Sequence, residues 1–254
     1  MQPQFWQEKW DQPKRGWSQT RVNSRLVRHW SVLNLDASAP VLVPLCGDSI
    51  DLDWLIASGH RVVGSELVEE GLEQWFARHA LTSRRDDQTG SSGNSFVQLQ
   101  PEPHRSGEPY VTLSGDDRNA SVRDATVEPE QHAPVFLCGD FFAVNAADLP
   151  SPPAAVYDRA ALIALPQEMR KQYVEHLGHL LEPGAKILLI TLNYAQEEMK
   201  GPPFSVTDDE VYSLYSSQFT IEKIDGSQGP DIVGNLAERG LTHAGESVFL
   251  MMRK

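Results

Sequence analysis

The sequence predicts an α/β protein built on a mostly parallel sheet with helices on both faces. Three observations carry this. Short apolar runs alternate with amphipathic stretches along most of the chain. Residues 41–45 (Val-Leu-Val-Pro-Leu) run into a turn at Cys46-Gly47-Asp48-Ser49, and a second run, 61–66, ends in Glu66. Residues 185–192 form a continuous apolar stretch, which suits a central strand covered on both faces. Strand, glycine turn, helix and a strand ending in an acid make the layout of a nucleotide-binding crevice, with the acid placed to hold a ribose. The turn is not G-x-G-x-x-G, so the cofactor stays open at this point, and a nicotinamide dehydrogenase is disfavoured.

The elements follow in order. Val22, Leu26, Trp30 and Leu33 share one helical face between residues 21 and 35. Leu52, Leu55 and Ile56 mark a helix ending at Gly59, and a helix over 69–79 has its acids in the first turn, where they suit the dipole. The pattern breaks over 82–134, which is rich in Ser, Gly, Asp, Pro, Asn and Arg. This stretch reads as a flexible insertion, with apolar pieces only at 96–97 and 110–113 that could form a hairpin or one irregular strand. Strands resume at 135–142 and 154–157. A helix spans 166–181 with proline at its start and Glu182-Pro183-Gly184 as its stop. Thr207 reads as an N-cap followed by Asp208, Asp209 and Glu210, and the last strands fall at 219–224 and 247–253.

With 254 residues and 40% apolar content the chain can bury a substantial core, and it reads as a single domain, 1–254, with an amino-terminal lid and helix in 1–35. A net charge of −13 supplies no basic stripe for a phosphate backbone, so no nucleic-acid partner is expected. No apolar run approaches the ~20 residues of a membrane span and no signal peptide is visible, which gives the expectation of a cytoplasmic protein with no membrane partner. Cys46 and Cys138 are too few for a disulfide framework and read as small buried residues at strand ends. No histidine pair has metal spacing, so no metal is expected.

Ligands in such sheets bind beyond the carboxyl ends of the strands. Those ends supply Leu45, Cys46 and Gly47, then Glu66, then Gly139, Asp140 and Phe141, then Asp158 and Arg159. Glu66 could accept from both ribose hydroxyls, or it could be a solvated acid capping the next helix. Asp140 and Phe141 suit an adenine contact, with core packing as the other reading for the phenylalanine. Arg159 could anchor an anion or pair with Asp158. Trp6, Trp10 and Trp17 must cover something apolar, either the core or the crevice as a lid. No nucleophile elbow and no phosphate loop is present. An enzyme of this kind would position a reactive cofactor against its substrate.

These residues carry a family resemblance. Val43-Pro44-Leu45-Cys46-Gly47, Trp54-Leu55, Gly59-His60-Arg61-Val62-Val63-Gly64 and Glu66 resemble the thiopurine S-methyltransferases. So do Trp6-x-x-x-Trp10, Cys138-Gly139-Asp140-Phe141-Phe142, Tyr157-Asp158-Arg159-Ala160-Ala161-Leu162 and Gly201-Pro202-Pro203-Phe204. The matches run in order along nearly the whole chain, and only 82–134 departs. The resemblance implies a Rossmann-like class I methyltransferase fold, a seven-stranded mostly parallel sheet, with S-adenosyl-L-methionine as cofactor. By position it places Trp6, Trp10, Leu45, Glu66, Asp140, Phe141 and Arg159 at the cofactor and Trp17 near the substrate. Arg159 would also serve the methyl-transfer step, with Asp158 as a weaker candidate for accepting a proton.

The implied reaction moves a methyl group to the sulfur of a thiopurine or another aromatic or heterocyclic thiol, with the enzyme acting as a monomer. Two alternatives stand beside it. One is methylation of selenium or tellurium compounds or small thiols by the same fold. The other is a non-catalytic module that only binds S-adenosyl-L-methionine.

Overall fold

In the computed structural model, which describes residues 3–11, 19–89, 95–102 and 133–254, the apolar run after Pro40 is the buried part of strand β1 (Pro40–Val43). The chain divides into two compact units, Met1–Pro153 and Ala154–Lys254.

The first unit begins with helix α1 (Pro3–Trp10) and helix α2 (Ser24–His29), which runs on into a helical turn at Trp30–Leu33. Asn23 caps α2 through its side-chain oxygen, and its own N–H donates to Asp51 Oδ1 at 2.7 Å, tying α2 to the next helix. After β1 come α3 (Ile50–Ala57), β2 (Arg61–Glu66) and α4 (Glu69–Arg78). Then follow β3 (Ser83–Thr89), β4 (Ser95–Pro101) and β5 (Val135–Cys138). The strands order as β3-β4-β5-β2-β1. β1, β2 and β5 are parallel, whereas β4 runs antiparallel to β5 and β3 antiparallel to β4. Val41, Leu42, Val62, Val63, Phe136 and Leu137 fill the strand core. Trp75 of α4 packs on Phe136 with ring centroids 4.9 Å apart. Its indole N–H donates to buried Asp53 at 2.7 Å, and Asp53 also takes Arg78 and His79, so one carboxylate fastens α4 to α3.

The insertion expected over 82–134 is corrected at its start. Residues 83–89 and 95–101 pair as antiparallel strands, and the partner of Phe96 and Val97 is the polar stretch at 83–89. Residues 110–113 lie outside the described residues. This pair raises the strand count: nine strands are present among the described residues, not the expected seven.

The second unit contains β6 (Ala155–Arg159), α5 (Gln167–Leu180), β7 (Lys186–Asn193), α6 (Asp208–Tyr215), β8 (Phe219–Gly229) and β9 (Ala244–Arg253). Its order is β6-β7-β9-β8, with β6 parallel to β7 and the other two pairings antiparallel. Six consecutive residues of β7 are buried, as a strand covered on both faces requires. Thr207 caps α6 by accepting from the Glu210 N–H at 3.2 Å. No described helix is long and apolar enough to cross a membrane.

Candidate functional site

The carboxyl end of β1 leads into a turn of unusual backbone. Leu45 has φ +48° and Gly47 φ +53°, both in the left-handed region. Glycine adopts it freely, but a leucine there is strained and must be held by its surroundings. The end of β2 does the holding. The Leu45 N–H donates to Ser65 Oγ at 3.3 Å, the Cys46 N–H to the Ser65 carbonyl at 2.8 Å, and the Gly47 N–H to Glu66 Oε2 at 3.0 Å. From the far side, Arg78 donates to the Asp48 carbonyl at 2.7 Å, and the same guanidinium reaches Asp53. The turn is therefore built into the framework that joins α3 and α4.

Glu66 is only 7% exposed. Its Oε1 accepts from the N–H groups of Leu67 at 2.7 Å and Val68 at 3.1 Å, just before α4. It holds the backbone that leads into α4, but it is buried and also binds the turn, so it is not a solvated acid. Burial pushes its pKa up to about 7, against the lowering effect of the three backbone donors. A carboxylate has roughly four acceptor positions. Three are taken here, which leaves one for a further donor.

Trp10 lies on this turn. A methyl group placed on Gly47 would meet its indole at 3.1 Å, and one placed on Gly71 of α4 would meet it at 2.6 Å. The indole is 5% exposed, seated on two bare α-carbons beside Glu66. Gln7 of α1 donates to Glu70 of α4 at 2.5 Å and docks the same helix. Trp6 is half-buried and meets Phe5 edge-on at 5.4 Å. Trp17 lies outside the described residues.

At the end of β5, Asp140 is exposed and accepts from the Phe142 N–H at 3.1 Å. Phe141 is 2% exposed. Phe142, half-buried and edge-on to it at 6.2 Å, has the accessible ring. The thiols of Cys46 and Cys138 are free and buried. Burial pushes Cys46 well above the ordinary thiol range and Cys138 up to about 12, so neither supplies a thiolate.

In the second unit, Asp158 and Arg159 end β6. Neighbouring strand residues point to opposite faces of a sheet. Asp158 is fully buried, accepting from Tyr173 Oη at 2.7 Å and from the Leu162 N–H at 3.1 Å. Burial raises its pKa to about 6. The carboxylate is cut off from solvent and faces internal donors, among them Tyr173 and Leu162. Arg159 is half-buried at the strand's carboxyl end. No group of three or more metal-ligating side chains exists among the described residues.

Sequence reasoning missed Gly71, Ser65, Arg78 and Tyr173. Gly71 did leave a signal: a glycine inside a helix costs about 1 kcal/mol against alanine and so points to close packing. The other three act through contacts between distant segments, which no local pattern announces.

A family model described as thiopurine S-methyltransferase matches residues 1–99 and 116–254. The chain belongs to the thiopurine S-methyltransferase family. The unmatched residues 100–115 fall within the stretch that departs from the resemblance. A thiopurine S-methyltransferase from Pseudomonas fluorescens SBW25 is 42% identical over 257 residues, covering all of both chains, and one from Azotobacter vinelandii is 35% identical over the same length and coverage.

Among solved structures, the N-methyltransferase NodS from Bradyrhizobium japonicum, in complex with S-adenosyl-L-homocysteine, matches at TM-score 0.53 and 10% identity, covering 97% of this chain and 96% of that one. A protein from echinomycin biosynthesis, studied for converting a disulfide bond into a thioacetal, matches at TM-score 0.56 and 12% identity, covering 92% and 83%. The fold is that of the Rossmann-like methyltransferases.

Proposed function

We propose that this chain is an S-methyltransferase that moves a methyl group from S-adenosyl-L-methionine to the sulfur of a small aromatic or heterocyclic thiol of the thiopurine type. The observation that carries the reading is the buried Glu66 carboxylate joined to the Leu45-Cys46-Gly47 turn. It suits a ribose: one acceptor position is open, and a second hydroxyl would be accommodated if the Gly47 N–H gave up its bond. The bare α-carbon of Gly47 allows close approach at the same place.

S-adenosyl-L-methionine supplies a methyl group on a positively charged sulfur. The chain binds, orients and excludes water. Glu66 holds the ribose, while Leu45, Asp140 and the Phe141-Phe142 segment line the adenine side. Trp6 and Trp10 close the amino-terminal segment over the cofactor, and the family resemblance assigns Trp17 to the acceptor. Arg159 favours the anionic form of the acceptor thiol by its charge. No described side chain is needed as a general base, since a heterocyclic thiol held near a guanidinium loses its proton to solvent. On this reading the whole chain works as one domain, as a cytoplasmic monomer without a nucleic-acid partner.

The test is a methyl-transfer assay with a purine thiol, a thiophenol and oxidised selenium and tellurium species, read by mass spectrometry. Methylated purine thiol or thiophenol is expected. Products from selenium or tellurium alone would move the acceptor to those elements, and tight cofactor binding with no product would leave a binding module.

A further inference from the structure

The second unit buries an acid that the proposed reaction does not use. Asp158 is 0% exposed at the penultimate position of β6. Its two carboxylate oxygens are spent on different targets. Oδ2 accepts from Tyr173 of α5, and Oδ1 accepts from the N–H of Leu162, four residues on. The second bond closes the turn that carries Arg159, and within that turn Ala160 is held at φ +77°, a region that penalises any side chain. Tyr215 of α6 is also fully buried, its hydroxyl has no hydrogen-bond partner among the described residues, and burial, followed by the Asp158 charge, raises its pKa well above the ordinary range. An acid in this core is an expensive way to build stability, because a well-packed apolar group often does as well. Its geometry does something an apolar group cannot, which is to pin a strained turn by its backbone.

We propose that Asp158 is a positioning residue for methyl transfer: its carboxylate, braced by Tyr173, clamps the turn 159–162 and so fixes the guanidinium of Arg159. This rests on the assignment of Arg159 to the acceptor. Tyr173 is the outer part of the same device, since its hydroxyl fixes the orientation of the carboxylate that holds the turn. The device explains why an acid precedes the arginine without invoking proton transfer by it.

The experiment is a double-mutant cycle on the full chain with a purine thiol as acceptor, reading kcat, KM and, by calorimetry, the Kd of S-adenosyl-L-methionine. Asp158→Ala is expected to lower kcat about tenfold, with the cofactor Kd changed less than about twofold. Asp158→Asn, whose amide oxygen still accepts one bond, should recover most of that loss. Asp158→Ala combined with Arg159→Ala should be no slower than Arg159→Ala alone. Should Asp158→Ala not fold, Tyr173→Phe keeps both the ring and the acid, and should lower kcat by a few-fold, again without adding to Arg159→Ala.

Losses that multiply in the double variant would overturn the inference, as would a lower melting temperature with kcat unchanged in the folded protein. A wild-type rate in Arg159→Ala would instead sink the assignment of Arg159, and the inference with it.

Discussion

The indole of Trp10 rests on the α-carbon of Gly71, so closely that a β-carbon there would lie 2.6 Å from Cζ2. The contact brings the amino-terminal helix α1 onto α4, beside the turn that holds Glu66. It sets two effects against each other at one position. Alanine at 71 would improve helix propensity by about 1 kcal/mol, while the clash would push the indole off its seat at a cost of about 1–3 kcal/mol. Gly71→Ala is therefore expected to destabilise the protein in urea. In a Trp10→Ala background the same change should become stabilising by about 1 kcal/mol. An equal effect in both backgrounds would mean that Trp10 does not occupy this seat in solution.

Glu66 links stability to pH, and the sign follows from the direction of its shift. Its pKa stands at about 7 in the fold and 4.5 as its ordinary value. Below pH 4.5 the acid is protonated in both states and its full contribution is present. As pH rises toward 7 the unfolded chain releases the proton while the fold retains it, so stability is lost across that window, by about 3 kcal/mol at most. Asp158 shifts the same way but is present in both proteins of a comparison and cancels. Glu66→Gln should gain melting temperature relative to wild type as pH is raised from 4.5 to 7, measured without cofactor. A difference independent of pH would show that the carboxyl is not buried in the folded state.

Particular residues show what was legible in the sequence and what was not. β1, β2, β5, β6 and β7 announced themselves because strands covered by protein need continuous apolar runs, such as Ile187, Leu188, Leu189 and Ile190 in β7. β3 did not. Its Arg84, Arg85, Asp86 and Asp87 are exposed on the outermost strand, where charge is tolerated and where backbone pairing to β4, with Phe96 and Leu99 buried, provides the reason to be a strand.

The same divide runs through the site. The place of Glu66 at the end of β2 was legible because strand-end logic fixes it. The inward turn of Asp158 was hidden, since its meaning depends on Tyr173, fifteen residues away, and strand periodicity does not say which face of β6 meets a helix. The burial of Phe141 was hidden too, because an aromatic at a strand end looks the same in sequence whether it packs inward or outward.

Removing the Glu66 carboxylate tests binding directly. Glu66→Ala takes away the acceptor for a ribose hydroxyl and, at the same time, the bond that holds the Gly47 N–H. The expected result is a rise of at least tenfold in the cofactor Kd, about 1.4 kcal/mol, read by calorimetry. Glu66→Gln should fall between the two, because its amide oxygen still accepts. An unchanged Kd in Glu66→Ala would remove the ribose assignment.

Arg159 separates binding from turnover. It stands half-buried at the carboxyl end of β6, in the place where ligands meet parallel strands. A guanidinium there stabilises the anionic form of an acceptor thiol, which matters most for an acceptor that ionises above the assay pH. Arg159→Ala should therefore lower kcat for an alkyl-type thiol about tenfold or more, and less for a thiophenol that is already ionised, while the cofactor Kd changes less than kcat does. Arg159→Lys keeps the charge but not the planar fork, and should restore the alkyl thiol only in part. If Arg159→Ala slowed both acceptors equally and weakened cofactor binding by the same factor, the arginine would belong to the cofactor alone.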